Sequence, residues 1–420
     1  MLSAIKAGLL IDGTGSPPQP NVTLTVENGR IKHIHTGDAD LPPEGPVFDA
    51  SDHVVIPGLI DTHTHLASPS GVDLAMFRVE APQPLTLFYA AQAAQAALAS
   101  GFTTLRNMGG IEFVALKQAI EKGLLPGPRL VIAGMIFMTG GHTDRLYPAN
   151  YLRSPDHTAD GADEVKQRAR QFILAGADFI KVEATGGLMA KDDTPTICGY
   201  SNEELTVAGE VAHGFGKRLA VHAHSSEGVR RAVEAGADTI EHCTWADEGA
   251  LELVAKRGVF ITATCSILED AIRRLQAAGQ SAAVIGKLDS GLQAKLRMLA
   301  LAQELGIKVA VGTDACGKYV PHGQNALEFE LLCRAGFSPM QSLLAGTKVA
   351  AEALGLAEEL GTLEPGKQAD LVILAGNPLD DITLLQNQAN ILRVFRGGLL
   401  VVDRLAGAGA GLLRWPAMAA

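Results

Sequence analysis

Val55-Ile56-Pro57-Gly58-Leu59-Ile60-Asp61-Thr62-His63-Thr64-His65-Leu66 is a short apolar run, broken once by Pro57-Gly58 and ending in two histidines two residues apart. On a β-strand, residues i and i+2 share a face. His63 and His65 would therefore present two imidazoles to one point, as a metal ion requires. An isolated His-x-His is weak evidence. Its position at the end of a buried-looking strand asks the rest of the chain for further ligands at matching places.

Beyond this stretch, strand and helix patterns alternate. Candidate strands follow at Phe102–Leu105, Arg129–Ala133, Phe179–Glu183, Leu219–His224, Thr239–His242, Gly258–Thr264 and Ile307–Asp314. Between them, helical periods cover Leu85–Ser100, stopped by Gly101, then Glu164–Leu174 and Leu288–Leu305. Ser201-Asn202-Glu203-Glu204 opens another helix with a capping box. Ala-Gly-Ala-Asp occurs at 175–178 and again at 235–238, a construction unit of helix end, glycine stop and strand start. Eight strands alternating with helices predict an α/β fold, a closed (β/α)8 TIM-like barrel rather than an open doubly wound sheet. No Gly-x-Gly-x-x-Gly follows the first strand, which disfavours a dinucleotide fold.

Both chain ends read as β. Ile5–Ile11 is one strand, and Val22–Val26 and Ile31–Ile34 flank Asn28-Gly29, a hairpin signal. After the barrel, Ser338-Pro339-Met340-Gln341 opens a helix to about Leu354. Ala369–Leu374 is a strand, and Ile391–Phe395 and Leu399–Val402 flank Gly397-Gly398. The expected organisation is a small composite β-sandwich domain from 1–56 and 362–408, with the barrel at 57–361 inserted and a tail at 409–420.

The chain has 420 residues, 47% hydrophobic and 19% charged, enough to bury a large core. Its formal charge of −11 argues against a nucleic-acid or anionic-membrane partner. The five cysteines are scattered without a Cys-x-x-Cys, as for reduced thiols. No apolar stretch has signal-peptide length, and none approaches the roughly 18–20 residues of a membrane span. The expected location is the cytoplasm.

In such a barrel, functional groups gather at the C-terminal ends of the strands. Strand one ends in His63 and His65, and strand four carries Lys181. Strand five carries His222 and His224, strand six ends in Glu241-His242, and strand eight ends in Gly312-Thr313-Asp314. Any one of these is more often a hydrogen-bonded core residue; ligand-type side chains on so many strand ends are harder to dismiss. Lys181 shares its strand face with Glu183 and either pairs with it or stays neutral through burial.

These stretches, with the closing Gly361-Thr362-Leu363-Glu364-Pro365-Gly366-Lys367-Gln368-Ala369-Asp370, resemble the amidohydrolase superfamily over nearly the whole chain. Thr103–Gly110 and Thr139–Asp144 are similar to the branch of imidazolonepropionases, Xaa-Pro and Xaa-Arg dipeptidases or carboxypeptidases, and ochratoxin-type amidases. The resemblance implies a binuclear site, usually zinc. His63, His65 and Asp314 would hold one ion and His222 and His242 the other, with Lys181 as a bridging N6-carboxylysine. It also implies a homo-oligomer. Asn107 departs from the pattern, since close relatives carry Asp after Arg106. Aligning the two Ala-Gly-Ala-Asp units sets Lys181 opposite Glu241, so strict alternation turns Glu241, not His242, inward.

The expected chemistry is hydrolysis of an amide or peptide bond in a small carboxylate-bearing substrate, a dipeptide or N-acyl amino acid. A metal-bridging hydroxide attacks and Asp314 passes its proton to the leaving amine. His142, in a Gly-Gly-His loop, would steady the oxyanion or orient the carbonyl. His224 and Tyr200 are further candidates for substrate contact. A cyclic amide, imidazolone or aminated heterocycle is the alternative substrate, and a non-catalytic scaffold the remote one. Selectivity is expected in the loops at 67–84, 139–160, 184–200, 265–285 and 316–325.

Overall fold

The computed structural model describes residues 2–37, 45–67, 72, 77, 81–147, 158–188 and 193–405. The tail at 409–420 and parts of the long loops lie outside the described residues.

Strands β1 (Leu2–Leu10), β2 (Gln19–Glu27), β3 (Arg30–Thr36) and β4 (Val47–Pro57) open the chain. The barrel strands are β5 (Leu59–Thr64), β6 (Phe102–Asn107), β7 (Arg129–Met135), β8 (Phe179–Glu183), β9 (Arg218–Ser225), β10 (Thr239–Trp245), β11 (Phe260–Thr262) and β12 (Val309–Ala310). The chain closes with β13 (Leu371–Leu374), β14 (Ile391–Arg396) and β15 (Leu399–Asp403).

β5 to β12 form one eight-stranded sheet in sequence order, every pair parallel. The seam between its last and first members is bridged by backbone: Thr62 N donates to Val311 O at 2.9 Å and Asp314 N to His63 O at 2.8 Å. The expected α/β barrel is thus present. β11 and β12 are shorter than the patterns at 258–264 and 307–314, though backbone hydrogen bonds continue beyond them, Ala263 N to Ala310 O and Thr264 N to Gly312 O.

The helix expected from Ser338 to Leu354 is two helices, Pro339–Ala345 and Lys348–Leu354. Ser338 forms the capping box with Gln341, and Thr347 breaks the run with φ −133° and ψ −93°. The break frees two carbonyls for the seam: Ala345 O accepts from Val311 N at 2.9 Å and Gly346 O from Ile60 N at 2.8 Å. A Cβ on Gly346 would stand 2.4 Å from the Phe329 ring, so the plug has no room for a side chain.

The chain ends meet in one seven-stranded mixed sheet, ordered β15-β14-β13-β4-β1-β2-β3. β13 pairs antiparallel with β4, and β1 pairs parallel with it. Ile31 N donates to Lys367 O and Gly366 N to Ile31 O, tying the far edge back to the approach to β13. The enclosed core includes Ile5, Leu24, Val55, Leu371 and Phe395. Both predicted hairpins turn through left-handed pairs, Asn28-Gly29 at φ 52° and 80° and Gly397-Gly398 at 53° and 75°, the geometry that matches strand twist.

β4 runs through Gly58 directly into β5, and a Cβ there would meet Thr103 Oγ1 at 2.2 Å. The two Ala-Gly-Ala-Asp units do the same work twice. Gly176 and Gly236 take φ 103° and 85°. Asp178 then accepts from Ile132 N and Asp238 from Leu219 N, both at 2.8 Å, which locks each new strand to its predecessor.

Candidate metal centre

The strand ends converge as the periodicity requires. His63 and His65 face one way from β5, and both Nε2 atoms approach Asp314 Oδ1, at 3.5 and 3.1 Å. His222 and His224 leave β9 together, their ring centroids 4.7 Å apart. His242 lies between the groups, 5.0 Å from His63 and 4.6 Å from His222. Two sets could hold an ion: His222, His224 and His242, and His63, His242 and Asp314, each with ligand atoms within 4.8 Å of one another. His224, expected to reach substrate, stands here with the ligand-type imidazoles.

β10 resolves the conflict over its inner face. Glu241 points inward, fully buried, as alternation demands. His242 and Cys243 then take φ 81° and 49°, left-handed values that cost L-residues conformational energy. The turn swings the next side chain to the same side, so Glu241 and His242 both reach the barrel interior. Thr264 and Asp314 are also left-handed, at φ 54° and 58°. Strain gathers where strands hand side chains to the site.

Four of the five imidazoles are oriented from behind. Glu241 Oε2 lies 2.7 Å from His63 Nδ1, and Thr264 Oγ1 lies 2.7 Å from His242 Nδ1. Thr244 Oγ1 lies 2.9 Å from His224 Nδ1, and Gly186 O lies 3.3 Å from His222 Nε2. One nitrogen of each of these four rings is spoken for, which leaves the other lone pair for a metal. Burial, joined by like-charged neighbours, holds His222, His224 and His242 well below the usual histidine range. They are neutral at neutral pH, the state in which an imidazole can bind a metal.

Below the site, Arg106 is fully buried and spans the barrel. It donates to Thr62 O, Thr239 Oγ1, Thr262 Oγ1 and Glu241 Oε1, with its guanidinium 5.2 Å above the Phe179 ring. Burial alone would raise the Glu241 carboxyl, yet Arg106 and His63 hold it far below the ordinary range. Burial likewise opposes Asp314, and His63 and His65 bring it down to about 2. Asn107 accepts from Leu66 N at 3.1 Å, a backbone-positioning contact.

Lys181 lies on the cavity wall, its ammonium pushed down to about 8 by burial against the opposing pull of Glu241 and Glu183. Glu183 does not pair with it; its carboxylate takes the Thr143 hydroxyl, clamping the 139–147 loop to β8. His142 in that loop stacks on His222 at 4.5 Å and 19°. Its Nδ1 lies 2.6 Å from Asp193 Oδ2, which also accepts from Gly187 N at 2.6 Å. A Cβ on Gly187 would stand 2.1 Å from His142 Cε1, and one on Gly186 2.1 Å from Asp193 Oδ1. The Gly-Gly pair is what lets this dyad close.

Asp193 and Arg106 are the positioning groups that pattern reading did not assign. Asp193 sits far from His142 in the chain, and the adjacent glycine pair was its only local signal. Tyr200 is buried in the core, its hydroxyl 3.4 Å from Ala159 O, and it is not among the residues that line the cavity.

The chain belongs to the amidohydrolase family, whose model matches residues 54–401. It is a hydrolase of that kind, acting on carbon–nitrogen bonds, with buried histidine clusters suited to the family's metal site. Ochratoxinase of Aspergillus niger is 31% identical over 95% of this chain and 86% of its own length. A Xaa-Pro dipeptidase structure with methionine bound in its active site is 32% identical, with a TM-score of 0.85 over 95% of this chain and 99% of that one. A prolidase complexed with N-methylphosphonate-L-proline is 28% identical, with a TM-score of 0.88 over 96% and 99%. No described helix is long and apolar enough to cross a membrane.

Proposed function

We propose that this protein is a binuclear, zinc-dependent amidase that releases an amino acid from a dipeptide or N-acyl amino acid. The observation that carries the reading is the pair of donor sets sharing His242, with Lys181 on the same cavity wall. His63, His65 and Asp314 would hold one ion and His222 and His242 the other, with His224 beside the second. A lysine whose ammonium is weakened by burial is the kind that takes up CO₂, and carboxylated Lys181 would bridge the pair. Two such ions supply an activated water and polarise the scissile carbonyl.

The chain's own residues do the rest. Asp314, ionised and hydrogen-bonded at the site's edge, accepts the proton of the attacking water and delivers it to the leaving nitrogen. His142, held by Asp193, offers its Nε2 side to the developing oxyanion. Met135, Phe137 and Leu188, apolar residues of the cavity lining, limit water around the reacting carbonyl. The names of the relatives, a dipeptidase, a prolidase and ochratoxinase, support a carboxylate-bearing amide over a cyclic one.

The test is a screen of zinc-loaded protein against N-acyl amino acids, dipeptides, cyclic amides and aminated heterocycles. Turnover confined to the first two classes is expected, with two metal ions per chain. Protein without bound divalent metal, whose activity survives Lys181→Ala, would overturn the binuclear reading.

A further inference from the structure

The helix Ala282–Glu304 packs against the barrel through Leu288, Leu292, Leu299 and Ala302, all buried. These positions are i, i+4, i+11 and i+14 of one apolar helix face, whose i+7 place is Lys295. Lys295 sits on that stripe where an apolar side chain belongs, and it is 1% exposed. Its Nζ donates to Thr264 O at 2.8 Å and Thr264 Oγ1 at 2.7 Å. An ammonium has three protons, so one remains. Among the described residues no carboxylate lies within ion-pair distance, although Lys295 lines the cavity that also holds Asp314 and the histidines. A buried charge without a partner costs several kcal/mol, and a methionine there would pack at no such cost. Glu328 and Asp314 pull on the ammonium only from beyond ion-pair distance, so the Thr264 bonds leave it without a direct anionic partner.

The cavity, about 410 Å³, is large enough for a blocked amino acid or dipeptide. Arg145 and Lys318 also line it, but both are partly exposed, where water weakens a cation's preference for carboxylate. Lys295 is the desolvated cation on the side of β11, and the apolar walls nearest in sequence are Ile267 and Leu268, with Leu188 also lining the cavity.

We infer that Lys295 receives the substrate's α-carboxylate, and that Leu188, Ile267 and Leu268 receive an apolar side chain of the same amino acid. This rests on the amidase reading above and narrows it to N-acyl derivatives of apolar amino acids. The carboxylate supplies the direct ion pair that Glu328 and Asp314 do not make with Lys295, and the third ammonium proton supplies the hydrogen bond.

The probes are L-leucine and L-leucinamide, which share a side chain and differ in carrying a carboxylate or a neutral carboxamide. Calorimetric titration of the zinc-loaded protein is expected to show leucine binding at least about 30-fold more tightly. In Lys295→Gln, which keeps a donor for Thr264 but no charge, the two affinities should converge while that of leucinamide holds. The kcat/KM ratio of N-acetyl-L-leucine to N-acetyl-L-leucinamide should collapse in parallel, mostly through KM. Lys295→Arg should restore part of the discrimination. Persistence of the leucine preference in Lys295→Gln, or its absence from the wild type, overturns the inference. If the variant loses its metal, a crystal structure of the wild type with leucine decides, the carboxylate lying on Lys295 Nζ or elsewhere. Leucine bound through Lys295 without turnover of any N-acyl amino acid would remove the amidase reading and leave the carboxylate site standing.

Discussion

Glu241 and His63 meet at 2.7 Å, Oε2 to Nδ1, while the other oxygen of the same carboxylate holds Arg106 at 2.7 Å. One buried acid therefore orients a proposed metal ligand and neutralises the cation beneath the site. Glu241→Gln keeps the shape and removes the charge. Leaving Arg106 unpaired is expected to cost about 3–5 kcal/mol in denaturant unfolding. Metal affinity should fall by about 10–100-fold through the loosened His63. Competition with a graded chelator reads the second effect, and unchanged affinity in a folded variant would mean that Glu241 does not act through His63.

The 2.1 Å approach that a Cβ on Gly187 would make to His142 predicts a variant that displaces His142 without touching a proposed metal ligand. Gly187→Ala should lower kcat by roughly 10²–10³, as should His142→Ala, with zinc content retained. Combining either change with Asp193→Ala should add little, because all three disable one unit. Fully additive losses would separate Asp193 from His142.

Neutral buried imidazoles facing one another are a preformed site, so metal should stabilise the native state by mass action. Zinc at a hundred times its dissociation constant is expected to contribute about 2.7 kcal/mol, read as a Tm that climbs with zinc concentration and drops on chelation. Lys181→Ala should flatten that dependence. A Tm indifferent to zinc in the wild type would contradict the assignment of the clusters.

Gly346 sits where the broken helix plugs the barrel seam, with the Phe329 ring 2.4 Å from a would-be Cβ. Gly346→Ala is expected to cost about 1–3 kcal/mol through overpacking. Amide exchange should quicken at Ile60 and Val311, whose partners are the carbonyls of the plug. Protection unchanged at those two amides would show that the seam does not depend on it.

The proposed ligands were legible because strand ends are local. His63, His65, Lys181, His222 and Asp314 each follow an apolar run whose period gives the face. His242 was placed by resemblance against the alternation, and only the left-handed backbone at 242–243 explains how it joins Glu241 inside. Lys295 had a visible signal, an amine on an otherwise apolar helical stripe, but the stripe does not say what the amine meets. Tyr200 could not be decided from pattern, because a phenol before a capping box looks the same whether it packs or binds.

The sequence by itself determined the alternation of strand and helix, the pairing of the chain ends, and the residue types at the barrel mouth. Those follow from periods of 2 and 3.6 residues, which are properties of short segments. Tertiary structure alone decided which nitrogen of each imidazole faces the centre, that Asp193 holds His142, and that Glu241 serves both His63 and Arg106. The orientation of a ring depends on the donor or acceptor behind it, and for His63 that acceptor lies 178 residues away. No local period carries that information; only the closed barrel brings the two together.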